Sequence, residues 1–380
     1  MFNEIYPETN RKVGEVISNS QVPSEERVRE ILEKNKENQL NLQEIAELLE
    51  VGRDTSNKKQ FRLMRSFTHN NFRNNGGELR EIAPVYLSSY CADRCGYCNY
   101  SADNRETQRT RLSLSQLEEE LIKGVLPLGS RVIEFTLATD SSFTPEKLSE
   151  YISKAKELLK DESGSGILLC SDYFSKQDYE RLKEIGLWGM VQWDETLDQK
   201  SYMHWHGKSK RKVNFEERIK THDRAIQAGL EVATGCLFGL SDYRYDVLMQ
   251  IAKVRYLGKQ YGKKPFVFGT PRLKPIKGVS VESNMDVTDH AYETSLMVYK
   301  IAEPKIARWL QTRELPELNY RNILDGDIYT YKCGKVKPGG YSVNTSKVDT
   351  CLGGQFVVTE TTKNGLPSRF NLNQAWIKEK

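Results

Sequence analysis

The sequence predicts an α/β fold, a (β/α)8 barrel of the TIM type with an N-terminal helical extension and a C-terminal cap. Three observations carry this prediction: eight short apolar or β-branched segments recur along the chain, helix-like segments separate them, and a cysteine-rich loop follows the first. Strands that alternate with helices form parallel sheets through right-handed crossovers, and eight repeats suggest a closed barrel. An open doubly wound sheet uses the same local pattern and is the alternative.

Three regions are predicted: a helical extension at residues 1–81, the barrel at 82–338 and a C-terminal extension at 339–380. Helical periodicity in the first region covers residues 28–50 and 58–72. The eight predicted strands are, in chain order, APVYLSSY, RVIEFTLA, GILLC, GMVQW, EVATGCLF, PFVFG, KIARWL and DIYTYK. The helix-like segments between the early strands cover residues 113–129, 145–161 and 175–186.

Composition narrows the class of protein. With 380 residues, 38% hydrophobic and 28% charged, the chain resembles a globular protein, and no stretch is long and apolar enough to span a membrane. The formal net charge of +4 is mild, and the basic run KSKRK at 208–212 is flanked by acidic segments, so nucleic-acid binding is not expected. The first residues do not resemble a secretory signal, which predicts a cytoplasmic location.

Cys91, Cys95 and Cys98 form a C-x3-C-x2-C segment directly after the first predicted strand. Thiolates are soft ligands, and three of them on one loop can hold three irons of a 4Fe–4S cubane and leave the fourth iron open. S-adenosylmethionine (SAM) can chelate that iron, and electron transfer into its sulfonium then releases a 5′-deoxyadenosyl radical. A zinc site or three buried thiols are the alternatives, but zinc normally takes a fourth protein ligand and none is obvious nearby.

Functional groups of a barrel lie on the loops that follow its strands. After the second strand, Thr139 and Asp140 are placed to hydrogen-bond a ligand ammonium, or to cap the helix that begins near Pro145. After the fourth strand, Glu195 is a candidate to bind the SAM amine or ribose. Arg218, on the next helix, is a candidate partner for the SAM carboxylate, or an arginine on a solvated helix face.

The later strand ends suggest a substrate. Gly239, in CLFGLSD, permits close backbone approach to a flat ligand such as adenine. Arg272 and Arg313 follow the sixth and seventh strands and are candidates to clamp a carboxylate, the alternative being an ion pair with Glu314 or another rim acid. Tyr90 flanks the cysteine loop, where it is a candidate to face the interior and contact substrate. A free amino acid is the natural inference.

Other metal-binding residue types are interpreted as structural. Cys170 and Cys236 lie within predicted strands and are expected in the core. His204 and His206 lie in a polar loop, where packing is a commoner role than metal binding.

The cysteine segment resembles the signature of the radical SAM superfamily. Further segments, from about residue 82 to 356, resemble its tyrosine-lyase branch, which includes 2-iminoacetate synthase, the hydrogenase-maturation tyrosine lyase and the tryptophan-processing indolic acid synthase. These segments are YLSSYCADRCGYC, YERLKEIGLWGMVQWDET, FEERI, DRAIQAGL, CLFGL, TPRLKP, QTRELPEL and KPGGY.

The resemblance implies one 4Fe–4S cluster, SAM as cofactor, and a radical that splits the side chain of an amino acid from its backbone. It implies that Tyr97 packs near the SAM adenine and that Glu195 and Arg218 hold SAM. It further implies that Arg313 binds the substrate carboxylate and that Arg272 lines the same pocket. A reductant such as flavodoxin or ferredoxin is the expected partner.

Two segments depart from this branch. Ala138, Thr139 and Asp140 stand where the branch typically has a Gly-Gly-Glu type segment for the SAM ammonium. At the last predicted strand, residues 331–334 read YKCG in place of a small-residue segment. The added bulk of Tyr331 argues against tyrosine and favours a smaller or acidic amino acid as substrate.

Three hypotheses therefore stand. The first is a radical SAM lyase that acts on a free amino acid. The second is a radical rearrangement or carbon transfer on another amino acid such as tryptophan, motivated by the altered last strand. The third belongs to another class, a cluster-bearing sensor or assembly partner that binds SAM without chemistry.

Overall fold

The computed structural model describes residues 1–73, 80–126, 131–160, 165–276, 278–279, 287–310 and 314–330. Arg313, Tyr331 and the predicted extension at 339–380 lie outside these ranges. Within them, N-terminal helices precede one parallel sheet that is interleaved with further helices.

The N-terminal helices form where the sequence supplies caps. Helix α4 matches the predicted stretch at 58–72, whereas the predicted stretch at 28–50 is two helices. The break has a local cause, because the Asn41 side chain accepts from the Glu44 backbone N–H and the Glu44 carboxylate accepts from the Asn41 N–H. The elements are α1 (Phe2–Asn19), α2 (Glu25–Lys34), α3 (Leu42–Glu50), a 3-10 turn (Val51–Arg53) and α4 (Lys58–Phe72).

The described strands form a closed barrel. They are β1 (Arg80–Glu81), β2 (Ala83–Ser88), β3 (Val132–Leu137), β4 (Gly166–Cys170), β5 (Gly189–Glu195), β6 (Glu231–Cys236), β7 (Val267–Gly269), β8 (Ala307–Leu310) and β9 (Ile328–Tyr329). Neighbouring strands are parallel, in sequence order from β2 to β9. Only Ile82 separates β1, which pairs with β9, from β2, which pairs with β3. The segment β1–β2 therefore closes the sheet, and the predicted (β/α)8 barrel is confirmed.

Helices connect the strands, and most begin at a polar residue whose side chain accepts a backbone N–H of the first turn. The predicted segment 113–129 begins at such a cap, Ser113, with Gln116 completing the capping box. The connecting helices are α5 (Leu114–Glu120), a π-helical turn (Leu121–Val125), α6 (Pro145–Leu159), α7 (Lys176–Ile185), α8 (Gln199–His206), α9 (Phe215–Ile219), α10 (Thr221–Gln227), α11 (Tyr243–Tyr261), α12 (Asp289–Ala302) and α13 (Pro316–Asn322).

Alternate strand residues divide the core into a barrel interior and an outer layer. Val191, Ala233 and Trp309 face the interior, where the Trp193 indole lies over two glycines. A Cβ at Gly235 would overlap the Trp193 ring, so this glycine makes room for that side chain.

The N-terminal helices pack on the outside of the barrel. Helices α1 and α3 contact α11 and α12 within one apolar cluster. Across the described ranges, no helix is both long and apolar enough to cross a lipid bilayer.

Candidate active site

The three cysteines of the predicted cluster lie on one loop after β2. Cys95 is buried, Cys91 and Cys98 are partly buried, and all three are free thiols. Burial raises the pKa of Cys95 to about 12, so the free thiol is protonated, and a bound metal centre would stabilise its thiolate. In the part of the chain that the structure describes, no three or more Cys, His, Asp or Glu side chains converge on a single metal ion. A 4Fe–4S cubane can be held by three thiolates with its fourth iron left open, whereas zinc normally takes four protein ligands, so three cysteines on one loop fit the cluster better than zinc.

Two side chains that the sequence analysis did not single out, one buried and one partly buried, hold this cysteine loop in shape. Asp93, between the first two cysteines, accepts the Arg211 backbone N–H at 2.8 Å and the Thr139 hydroxyl at 2.6 Å. Arg109 donates to four loop carbonyls, including that of Ser89 at 2.5 Å. The loop is therefore fixed before any cofactor binds.

Tyr97, the predicted adenine neighbour, is fixed by a buried histidine. Its hydroxyl lies 3.0 Å from His206 Nε2, and His206 Nδ1 lies 2.8 Å from the Tyr202 carbonyl oxygen. Burial lowers the pKa of His206 to about 3, so the ring is neutral. A carbonyl can only accept, which assigns the ring proton to Nδ1 and makes Nε2 the acceptor for the Tyr97 hydroxyl. The predicted polar loop is wrong here, because His206 is the last residue of helix α8, where it is buried and has a specific partner in Tyr97.

The loop after β6 lies against Tyr97. Leu237 and Leu240 share an apolar cluster with Tyr97 and Cys95. Gly239, between these leucines, has a φ of 107°, a conformation that other residues rarely adopt. The structure thus brings together the two residues predicted to contact adenine.

Glu195 ends β5 in a left-handed backbone conformation, with a φ of 67°, at a register shift between β5 and β6. Such strain costs about 1–3 kcal/mol and concentrates at functional sites. The carboxylate accepts from Lys212 Nζ at 2.6 Å and lies 3.4 Å from Arg218 Nη2. Burial raises the pKa of Glu195, but the two cations outweigh burial and lower it to about 2, so the group is ionised.

The two cations beside Glu195 are themselves buried. Arg218 is 2% exposed and donates to the Trp193 carbonyl at 2.6 Å, so it does not lie on a solvated helix face. The Lys212 side chain is 17% exposed, although its run KSKRK reads as a surface segment. Lys212 is a site residue that the sequence analysis missed, because nothing in a continuous basic run marks which lysine turns inward.

Thr139 and Asp140 already have protein partners. Thr139 donates to Asp93, as described above, and lines a cleft of about 770 Å³ beside the cysteine loop. Asp140 lines the same cleft and accepts from Arg111 Nε at 2.7 Å, from Arg111 Nη2 at 2.9 Å and from the Ser88 hydroxyl at 2.5 Å. A ligand ammonium would have to share or displace Arg111.

The structure describes two of the three residues predicted to bind substrate, Arg272 and Tyr90. Arg272 forms an ion pair with Glu314, with Nε to Oε1 at 2.9 Å, and a second with Asp289 at 2.8 Å. The alternative stated for Arg272, a rim ion pair, is therefore the arrangement found. Tyr90 is 42% exposed, and the Arg111 guanidinium lies 4.4 Å from its ring centre, whereas Arg313 lies outside the described residues.

Comparison with known proteins gives a family match. Residues 85–254 match the Radical SAM superfamily. The chain is 26% identical over 277 residues to the 2-iminoacetate synthase of Escherichia coli, an alignment that covers 72% of this chain and 71% of that protein.

Solved structures give the same fold. The FeFe-hydrogenase maturase HydG from Carboxydothermus hydrogenoformans superposes with a TM-score of 0.73 and 26% identity, covering 88% of this chain and 76% of HydG. Methylornithine synthase (PylB) superposes with a TM-score of 0.66 over 83% of this chain and 89% of that one, at 18% identity, which indicates a shared fold alone. Enzymes of the matched superfamily use a 4Fe–4S cluster and SAM, and the cysteine loop of this chain has three thiol donors for such a cluster.

Proposed function

The chain carries a radical SAM domain, and from this premise we propose that the enzyme cleaves a carbon–carbon bond of a free amino acid, as a lyase. The observation that carries the proposal is the alignment with 2-iminoacetate synthase over 277 residues, which is longer than the matched range 85–254. The similarity is therefore not limited to the part that all radical SAM enzymes share. The similarity to HydG, at 26% identity, supports the same proposal.

Different residues of the chain would bind the cluster and SAM. Cys91, Cys95 and Cys98 would hold three irons of the cluster. When bound, the reduced cluster supplies the electron that cleaves SAM to methionine and a 5′-deoxyadenosyl radical.

Tyr97 on the cysteine loop and residues that follow β5 and β6 would orient SAM. The Tyr97 ring, held by His206, and the backbone at Gly239 would contact the adenine. Glu195 is ionised and held on one side by Lys212 and Arg218, and its remaining acceptor positions suit the ribose hydroxyls or the amine.

Asp140 and Thr139 would meet the ammonium end of SAM. Side chains of both line the cleft beside the cysteine loop. Asp140 replaces the longer glutamate of the tyrosine-lyase branch, and its pair with Arg111 draws the carboxylate toward β2. Ammonium binding there would then depend on Arg111 moving.

The substrate is proposed to be an amino acid other than tyrosine. Arg313 is the proposed carboxylate partner, because the Arg272 guanidinium is committed to Glu314. The sequence YKCG at residues 331–334, in place of the small-residue segment of the branch, argues against tyrosine and also motivates the second candidate function, a radical rearrangement or carbon transfer on another amino acid such as tryptophan.

A small acidic electron carrier, such as a flavodoxin or ferredoxin, is the proposed reductant. Lys208 and Lys210 are exposed and flank Ser209, whose hydroxyl lies 3.6 Å from Cys95 Sγ. These lysines would place the carrier's acidic surface close to the cluster.

The decisive experiment is anaerobic reconstitution with iron and sulfide, followed by SAM, dithionite and a panel of single amino acids. Deoxyadenosine and amino-acid products are measured by liquid chromatography and mass spectrometry. A lyase yields deoxyadenosine together with a side-chain fragment and the corresponding backbone fragment. Cys95→Ala should abolish turnover, whereas the matched thiol variant Cys170→Ala should retain the cluster.

Each outcome has a distinct meaning. A rearranged product of unchanged mass supports the second candidate and refutes the lyase. Bound SAM that yields no deoxyadenosine with any amino acid refutes both and supports a SAM-binding sensor.

A further inference from the structure

The segment that follows α8 is attached directly to the cysteine loop. The Arg94 backbone N–H donates to the Ser209 hydroxyl oxygen at 3.1 Å. Two positions on, the Arg211 backbone N–H donates to the Asp93 carboxylate at 2.8 Å. Residues 209–212 therefore keep a fixed position relative to the cluster ligands.

The Ser209 hydroxyl also touches a cluster ligand. Its oxygen lies 3.6 Å from Cys95 Sγ, and both residues are buried, with 7% and 3% exposure. The oxygen already accepts from the Arg94 N–H, which leaves the O–H proton free to donate. A cysteine that ligates iron is a thiolate and can only accept, so the hydroxyl is the donor in this contact.

Lys212 brings a positive charge to the same place. Its ammonium is buried against Glu195 at 2.6 Å. The Lys212 backbone N–H lies 3.4 Å from the Asp93 carboxylate, which stands between the first two cysteines, so the residue that carries this charge is anchored to the cysteine loop. Lys210 lies two residues earlier but is exposed.

We propose that Ser209 and Lys212 tune the reduction potential of the cluster, the first through a hydrogen bond to the Cys95 sulfur and the second through its charge. One-electron reduction adds a negative charge to the cluster. A hydrogen-bond donor and a nearby cation both stabilise that charge more in the reduced than in the oxidised state. Removing either group therefore shifts the midpoint potential to more negative values. The proposal requires that the cluster binds, but it does not depend on the amino-acid substrate.

The test is an anaerobic spectroelectrochemical titration of the reconstituted full-length protein without SAM. Ser209→Ala is expected to raise the ratio of oxidised to reduced cluster at a fixed potential by about fivefold, because a donor to a charged acceptor is lost. Ser209→Thr keeps the hydroxyl and should retain the wild-type midpoint. Lys210→Met, the matched control for charge, should also retain it.

Iron content and the visible absorption spectrum establish that each variant carries an intact cluster. A wild-type midpoint in Ser209→Ala with an intact cluster overturns the role of Ser209. If Ser209→Ala loses its cluster, Ser209→Thr and Lys212→Gln decide the matter. The proposal then requires that Ser209→Thr has the wild-type midpoint potential and that Lys212→Gln has a more negative one. Any other pair of results overturns the proposal.

Discussion

A buried carboxyl inside the barrel makes a prediction about stability and pH. Glu134 is 5% exposed and points inward from β3, because its neighbours Ile133 and Phe135 pack against the outer helices. Burial raises the pKa of Glu134 from 4.5 to about 7, while the nearby Cys170 and Thr136 side chains offset part of that rise. Because the folded-state pKa is the higher one, the stability from the protonated group is complete below pH 4.5 and is lost as the pH rises through about 7.

The magnitude follows from the two pKa values. Their difference is 7 − 4.5 = 2.5, and each unit is worth about 1.36 kcal/mol, so ionising Glu134 in the folded protein costs about 3 kcal/mol. Linkage over the range from about pH 5 to about pH 8.5 gives a loss of about 2.5 kcal/mol in the free energy of unfolding from this group. Glu134→Gln fills the same space and cannot ionise. The variant should therefore gain about 2.5 kcal/mol on the wild type over that range.

Urea unfolding followed by tryptophan fluorescence, with both proteins at both pH values, measures this change. Groups that titrate equally in the two proteins cancel, including Asp246, whose pKa burial also raises to about 7. A stability difference between variant and wild type that is the same at both pH values would refute the reasoning. It would mean that Glu134 is solvated or paired when ionised.

Three further predictions concern the site. Glu195→Gln should weaken SAM binding to the reconstituted protein by at least about tenfold in equilibrium dialysis, because hydrogen bonds to charged groups are worth about 1.5–3 kcal/mol. The iron content should stay unchanged. Equal SAM affinity in the variant and the wild type would contradict the role of Glu195 in SAM binding. His206→Phe should raise the KM for SAM. Adding Tyr97→Phe should raise the KM little further, because either change removes the same Tyr97–His206 hydrogen bond. Additive effects of the two changes on KM in this double-mutant cycle would contradict the coupling. Exchanging Lys208 and Lys210 for glutamate should slow SAM cleavage driven by an acidic protein donor and leave the dithionite-driven rate unchanged; an equal loss in both assays argues against a docking role.

The barrel and its cysteine loop were predictable because their signals are local. Strand periodicity and cysteine spacing are properties of neighbouring residues, and each of the eight predicted segments corresponds to a strand of the barrel. The helical stretch at 28–50 was read as continuous because the cap at Asn41 interrupts it without a glycine or proline. Such a break needs the reciprocal side-chain contacts with Glu44 to be recognised.

Apart from the Arg272–Glu314 pair, which is one of the alternatives that the sequence analysis states, the partners of the site residues were not predictable, because they come from distant positions. Asp140 pairs with Arg111, 29 positions away in sequence. His206 reaches Tyr97 across 109 positions. Sequence spacing predicts that a side chain lies at a strand end. Which charged residue contacts that side chain depends on how the neighbouring loops fold together. Strand-end reasoning therefore found candidate residues and left their pairing open.

The ion pairs also determine which of the predicted site residues can still bind a ligand. The Glu314 side chain is 0% exposed and that of Arg272 is 8% exposed, so removing one partner costs about 3–5 kcal/mol. A substrate carboxylate would regain only about 1.5–3 kcal/mol from Arg272, so the exchange is unfavourable. The Arg111 side chain is 40% exposed, whereas that of its partner Asp140 is 3% exposed, so this pair is only partly buried and Arg111 can be released to solvent. A SAM ammonium can therefore replace Arg111 at Asp140 at a smaller cost than a substrate carboxylate can replace Glu314 at Arg272, and an amino-acid carboxylate must find another cation.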